Sequence, residues 1–344
     1  MLCTKHLVCL LTLFFTCTLI SSVASAQFIV HVDGDSGLAF PNPPDPGDSW
    51  DNAYKFPQDA LTRAQEILGQ NPPGTTVQLW VAATDENNPY LPDQGDGHMP
   101  GDRTATFNLI NNVELYGGFF GNETALSQRN PEANETVLSG DINPLQPVDP
   151  PPACADPDPG AGNCFTPTPG IPGCTDPACC EEVCAFAAYC CDIDIGWDTN
   201  CTNLANGLCA MNAYHVVSAG SPVGPGVDET ARLDGFTITG GHANGAGNDG
   251  LGGGMLAQLS QPVLIRCKFQ GNVASKGGAV YNQADCALFC DVGLQLINCS
   301  FIDNLATSIP TGGGAIFNHS ANRSLLVNCL FVGIFGTVTY LHPC

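Results

Sequence analysis

From Gln27 to about Asn143, short apolar runs alternate with turns rich in Gly, Pro, Asn and Asp. Phe28-Ile29-Val30, Val77-Gln78-Leu79-Trp80-Val81, Val113-Glu114-Leu115-Tyr116 and Thr136-Val137-Leu138 are short and β-rich in composition, and they predict strands. Pro57 to Gln70 has a different rhythm. Ala60, Leu61, Ala64, Ile67 and Leu68 recur at helical spacing, with Pro57 near the start and Gly69 near the end. One helix among many strands is the form expected of a cap. Residues 144–210 open on the Pro-rich run Pro144 to Pro152 and then lose periodicity, as a linker and a small inserted module would. From residue 211 to 344 the chain becomes a repeat array.

The array aligns without gaps on Phe236-Thr237-Ile238, Cys267-Lys268-Phe269, Cys299-Ser300-Phe301 and Cys329-Leu330-Phe331, so Ile238, Phe269, Phe301 and Phe331 recur at intervals of 31, 32 and 30 residues. Between them run Gly253-Gly254-Met255-Leu256, Gly277-Gly278-Ala279-Val280 and Gly313-Gly314-Ala315-Ile316, at intervals of 24 and 36 residues. Period two predicts one buried strand face carrying Ile265, Cys267 and Phe269, with Leu264, Arg266 and Lys268 opposite. A repeat of this length has room for about three strands. Stacked coils would place Phe on Phe and Cys on Cys, giving interior ladders of Cys267, Cys299 and Cys329 and of Phe269, Phe301 and Phe331. Asn272 and Asn304 follow their Phe by three residues, where the chain should turn. Asn suits that place by tolerating the left-handed conformation and by stacking its amide on the next coil.

Residues 1–26 have the form of a secretory signal. Lys5 and His6 precede the apolar run Leu7 to Ile20, and Ala24-Ser25-Ala26 places cleavage before Gln27. That run is too short for a transmembrane anchor, and no later segment has the length of a span. Export puts the remaining cysteines where disulfides persist. Cys154, Cys164, Cys174, Cys179, Cys180, Cys184, Cys190, Cys191, Cys201 and Cys209 crowd the inserted module, allowing up to five bonds whose pairing the spacing does not decide. The doublets Cys179-Cys180 and Cys190-Cys191 suggest a knot in which neighbours bond to different partners. A structural zinc site is the rival there. Cys286 and Cys290 are expected to bond across a loop.

Charge narrows the partners. The chain has 10 Lys+Arg against 33 Asp+Glu and a formal net charge of −23, so nucleic acid and anionic lipid are repelled. Calcium is the one cofactor for which ligands exist, at Asp33 and Asp35 and at Asp93 and Asp96, although Asp/Gly loops of this kind also serve simply as turns.

The pairing of Phe269-Gln270-Gly271-Asn272 with Gly277-Gly278-Ala279-Val280, and of Phe301-Ile302-Asp303-Asn304 with Gly313-Gly314-Ala315-Ile316, resembles the FxxN and GGA[ILV] repeats of chlamydial polymorphic outer membrane proteins. The resemblance covers about residues 233–338. It implies an all-β chain forming a right-handed parallel β-helix, a pectin-lyase-like solenoid, with export to the cell surface and adhesion. Phe331-Val332-Gly333-Ile334 lacks the Asn, and no autotransporter barrel follows Cys344, so the family's outer-membrane anchoring is not carried over. The N-terminal zone resembles the leader of secreted planctomycete β-helix proteins at Val32-Asp33, Ser49-Trp50-Asp51-Asn52-Ala53-Tyr54, Leu79-Trp80-Val81-Ala82, Leu115-Tyr116-Gly117-Gly118-Phe119, Leu138-Ser139-Gly140-Asp141 and Leu233-Asp234-Gly235-Phe236. That likeness implies that residues 27–143 form the first coils and a helical cap. The cysteine-rich stretch is similar to a module of planctomycete surface proteins, and no activity is implied by it. The array reaches Cys344 without a visible cap or sorting signal, so a truncated product is the expectation.

Two functions follow. One is a non-catalytic secreted or cell-surface protein, adhesive through loops on the solenoid, whose ligand is a protein or a glycan. The other is a polysaccharide lyase or glycoside hydrolase on the same scaffold. A lyase needs a Lys or Arg base, and beyond the signal only Lys55, Lys268 and Lys276 and six Arg remain. Lys268 and Arg266 share an outward face, which also suits a solvated strand. A hydrolase needs paired carboxylates, and the repeats contain no Asp-Asp or Asn-x-Asp grouping. No serine-nucleophile elbow or HExxH motif occurs, and no catalytic residue is assigned. The acidic field would also repel pectin-like substrates. The non-catalytic surface protein is the expected one.

Overall fold

The structure, a computed structural model, describes residues 26–35, 46–84, 88–95, 97–142, 212–220, 226–283, 293–308, 312–319 and 324–334, with parts of 161–208. The expected export signal lies outside the described residues apart from Ala26, as do Asp96, Cys154, Cys179, Cys209, Cys286 and Cys290.

The chain is mostly β, and four of its sheets are parallel throughout. The first stacks seven strands in the order Gln27–Val32, Thr76–Ala82, Val113–Phe119, Arg232–Asp234, Val263–Ile265, Gln295–Ile297 and Leu325–Val327. The second stacks Val137–Ser139, Thr237–Thr239, Lys268–Gln270, Ser300–Ile302 and Leu330–Val332. His242–Ala243, Val273–Ala274 and Leu305–Ala306 form the third. Phe107–Leu109, Val217–Ala219, Met255–Gln258, Val280–Gln283 and Ile316–His319 form the fourth. After the first two strands, which pair with each other, consecutive strands of these four sheets enter different sheets, and each pairs with the strand one repeat later. This arrangement is compatible with a parallel β-helix. Leu138 and Ile238 are register neighbours although the whole cysteine-rich segment separates them in sequence.

Each repeat holds four short strands rather than about three, because left-handed corners break the chain. Register places Gly235, Arg266, Asn298 and Asn328 one above another, each just after its strand in the first sheet. Their φ values are 83°, 50°, 55° and 51°. A corner of this kind shifts the alternation by one residue. Leu264, not Ile265, shares the interior with Cys267 and Phe269, and Leu296 shares it with Cys299 and Phe301. The strict period-two expectation therefore fails across the corner and holds on either side of it.

Two further expectations shift by one residue. Gly271 and Asp303 take the left-handed conformation at the second corner, with φ 65° and 53°, and not Asn272 and Asn304, which follow them. Met255 pairs with Val280, and Val280 with Ile316, so the first glycine motif is Gly252-Gly253-Gly254-Met255. Three consecutive glycines leave that alignment undecided in the sequence.

Ile238, Phe269, Phe301 and Phe331 pair in register. Parallel in-register pairing sets like side chains face to face. The Phe269 and Phe301 rings are 5.2 Å apart and inclined by 5°, and those of Phe301 and Phe331 are 4.8 Å apart. Burying each inner ring stabilises by roughly 2–3 kcal/mol. Phe331 belongs to the last described rung and is 41% exposed, in contrast to the fully buried Phe269 and Phe301.

The helix Pro57–Gln70 has the predicted bounds. Pro57 at its start lacks an N–H that would be unpaired there anyway, and Ala60, Leu61, Ala64 and Ile67 join the same core as the interior ladders. The cysteine-rich segment has a separate core around Trp197, whose Nε1 donates to the Cys164 carbonyl at 2.8 Å. Disulfides join Cys164 to Cys174, Cys184 to Cys191 and Cys190 to Cys201, so the adjacent Cys190 and Cys191 bond to different partners.

Candidate functional site

A lateral cleft of about 1150 Å³ runs along the corner between the first two sheets. One wall carries Arg266, Asn298 and Asn328 from successive corners, with Lys268 and Ser300 beside them. The left-handed corner turns these side chains away from the core, so their polarity follows from their place. The opposite wall is the loop from Leu126 to Glu132.

That loop is held by its own polar groups. The Glu123 carboxylate accepts the backbone N–H groups of Phe120, Gly121 and Asn122. Burial pushes this carboxyl up, but those hydrogen bonds together outweigh it and hold it below its ordinary value. Gln128 Oε1 accepts from the nitrogens of Thr124 and Ala125. Pro131 lies against Gly118, where φ is 92° and an added Cβ would come within 2.7 Å of the proline. Glycine is required there on both counts.

Arg129 ties the loop to the sheet. Its guanidinium donates to the carbonyls of Gly117 and Asp234 and pairs with the Asp234 carboxylate at 2.8 Å. The ring of Tyr116 lies 4.9 Å from the guanidinium carbon. Burial first, then the neighbouring Glu114 charge, pushes the Tyr116 phenol up to about 12. Arg266 grips Asp234 from the other side, with donors at 2.7 and 3.0 Å. Asp234 is 2% exposed and thus carries a desolvated charge shared between two arginines. Lys268 pairs with Glu135 at 2.6 Å, and Thr237 also donates to that carboxylate. Burial raises the Glu135 carboxyl, but the bonds and charge from Lys268 and the Thr237 hydroxyl prevail and hold it below its usual range.

The remaining candidates lie elsewhere. Asp33 Oδ1 accepts from the nitrogen of Asp35, whose own Oδ1 accepts from Asn88 Nδ2, both at 3.0 Å. Asp93 is buried and accepts from the nitrogen of Gly101 at 2.7 Å, while its Oδ1 has no hydrogen-bond partner among the described residues. The Cys267, Cys299 and Cys329 thiols are free, and each lies within hydrogen-bond reach of carbonyls on its own and the preceding rung. Cys267 and Cys299 are buried, and Cys329 is partly exposed. The sulfurs of Cys180, Cys184 and Cys191 lie within 4.8 Å of one another. All three are disulfide-bonded, so they offer no thiolates to zinc.

Asn272 and Asn304 are fully buried and bonded to each other. A second amide ladder, absent from the sequence reading, joins Asn282 Nδ2 to Asn318 Oδ1 at 3.0 Å. Its signal was the equivalence of Val280-Tyr281-Asn282-Gln283 with Ile316-Phe317-Asn318-His319. The Arg129–Asp234–Arg266 cluster was also missed, because Arg129 lies far outside the array.

Residues 266–283 match the Chlamydia polymorphic membrane protein repeat. The matched stretch contains Cys267, Phe269, Asn272 and Gly277 to Val280, and with them three of the four strands of one repeat. No curated protein and no solved structure matches the chain. Among the described residues, no helix is long and apolar enough to cross a membrane.

Proposed function

We propose that this is a non-catalytic, secreted or cell-surface protein that binds its ligand along the side of a right-handed parallel β-helix. Residues 1–26 direct export, the helix Pro57–Gln70 covers one end of the solenoid, and the disulfide-bonded module is carried as an insert. The repeat match at residues 266–283 supports a surface setting. The observation that carries the binding role is the pairing within the cleft. Arg129 and Arg266 are committed to Asp234, and Lys268 to Glu135. Glu132 is the one carboxylate among the described residues lining the cleft, whereas glycoside hydrolysis takes two. Such a wall holds a ligand and does not cleave it.

Two measurements test the reading. Protease shaving and surface biotinylation of intact producing cells should release or label this chain. The purified chain, incubated with neutral and uronate polysaccharides, should yield neither reducing ends nor the ultraviolet absorbance of unsaturated ends. Release of either product would overturn the non-catalytic reading, and a chain confined to the cell interior would overturn the surface setting.

A further inference from the structure

We propose that the lateral cleft takes an uncharged polysaccharide, an inference that rests on the binding role above and names its ligand. Charge is the first reason. Three of the chain's ten Lys and Arg residues line the cleft, which would suggest an anionic ligand. Each of the three is already paired with Asp234 or Glu135, and the whole chain carries −23. A polyanion would meet a repulsive field and no unengaged cation to offset it.

Hydrogen-bonding capacity is the second reason. Asn328 Nδ2 donates to Asn298 Oδ1 at 2.8 Å. That bond leaves Asn298 Nδ2, Asn328 Oδ1 and the Ser300 hydroxyl facing the cleft as a neutral donor and acceptor set. Asn298 and Asn328 occupy equivalent corners of adjacent rungs, so their amides recur roughly 4.8 Å apart along the stack. A linear chain of hexoses presents hydroxyls at comparable repeating intervals. Leu126 and Pro131 on the facing wall supply apolar contact for the CH faces of the sugar rings.

An extended peptide fits this wall poorly. Peptide capture by strand addition needs an open row of backbone groups. Along the cleft that row is closed, since Arg266 N donates to Ile297 O and Asn298 N to Val327 O, both at 2.9 Å.

The test is equilibrium binding to the full chain by calorimetry. The neutral probes are cellohexaose, maltohexaose and mannohexaose, the acidic probe is hexagalacturonate, and the peptide probe is an unstructured hexapeptide. At least one neutral hexasaccharide should bind, with little dependence on salt. Ser300→Trp, which fills the cleft from the sheet side, should weaken that binding by about tenfold or more. Glu132→Trp fills it from the exposed loop and serves the same purpose should Ser300→Trp not fold.

Binding of hexagalacturonate or peptide alone, no binding of any neutral probe, or neutral binding unchanged by the folded cleft variants would each overturn the inference. Failure here together with surface labelling and no polysaccharide cleavage leaves the binding role intact. Cleavage products overturn that role even where a neutral sugar binds.

Discussion

Asn304 Oδ1 lies 3.1 Å from both the backbone nitrogen and the Nδ2 of Asn272, so one carbonyl oxygen accepts two N–H groups from the preceding rung. Asn272 repeats the act one rung earlier, its Oδ1 accepting from Gly241 N at 3.0 Å and its Nδ2 donating to Ile238 O at 2.9 Å. A corner between two sheets cannot satisfy its own backbone by strand pairing, and the amide side chain does so in its place.

Replacing that amide therefore strands a buried group. Asn272→Ala leaves the Gly241 N–H without a partner in the interior and removes one donor from Ile238 C=O, which keeps its strand pairing with Lys268–Gln270. A buried donor left unpaired costs about 1–3 kcal/mol and a lost hydrogen bond about 1, so the variant should lose roughly 2–4 kcal/mol. Urea unfolding measures it. A loss no larger than that of an exposed substitution would show that water replaces the amide.

Arg266 occupies a left-handed corner that its equivalents fill with Gly235, Asn298 and Asn328. Arg266→Asn and Arg266→Ala both remove the contact with Asp234, which keeps Arg129. They differ in tolerance of φ near 50°. Arg266→Asn should therefore be more stable than Arg266→Ala by about 0.5–1 kcal/mol, since Asn bears this conformation better. Equal thermal midpoints would contradict the assignment of strain to this corner.

Glu135 sets an acid limit on the cleft wall. Its carboxyl is held below its ordinary value of 4.5 in the folded chain. A depressed carboxyl stabilises the fold fully above its unfolded value, and the contribution disappears as pH falls through the folded value. The stability difference between the native chain and Glu135→Gln should be constant above about pH 5.5 and shrink on acidification below 4.5. Chemical unfolding at stepped pH gives this difference directly. A gap that widens in acid would reverse the assigned direction.

The stacked thiols should be chemically quiet. The Cys299 thiol is raised by its hydrogen bond with Cys267 and further by burial, and that of Cys329 by Cys299 and by burial. The thiolate is the reactive form, so maleimide treatment of the native chain should leave Cys267 and Cys299 unmodified. Partly exposed Cys329 should label slowly, and all three should label in urea. Peptide mass mapping reads the sites, and rapid native labelling of Cys299 would contradict its place in the ladder.

Much of the repeat array was legible because like residues return at nearly constant intervals. Phe269, Phe301 and Phe331 pair in the register their spacing implied. Pro57 to Gln70 was equally plain, since its apolar residues follow a period of 3.6 and not 2. The side assigned to Leu264 and Ile265 was not legible. Arg266 carries no mark in the sequence of a left-handed residue, as glycine would, and one such residue exchanges the two faces.

What the chain determined locally, then, is its rhythm: where strands and a helix form, which rings recur, and which cysteines crowd together. Those features depend on side-chain period and backbone preference within a few residues. The cleft was decided only in three dimensions. Arg129 meets Asp234 and Arg266 across more than a hundred residues of sequence, and Glu135 meets Lys268 in the same way. Charges so placed are paired by stacking rungs that the sequence keeps far apart, so an apparent cationic patch becomes a wall of ion pairs and neutral amides.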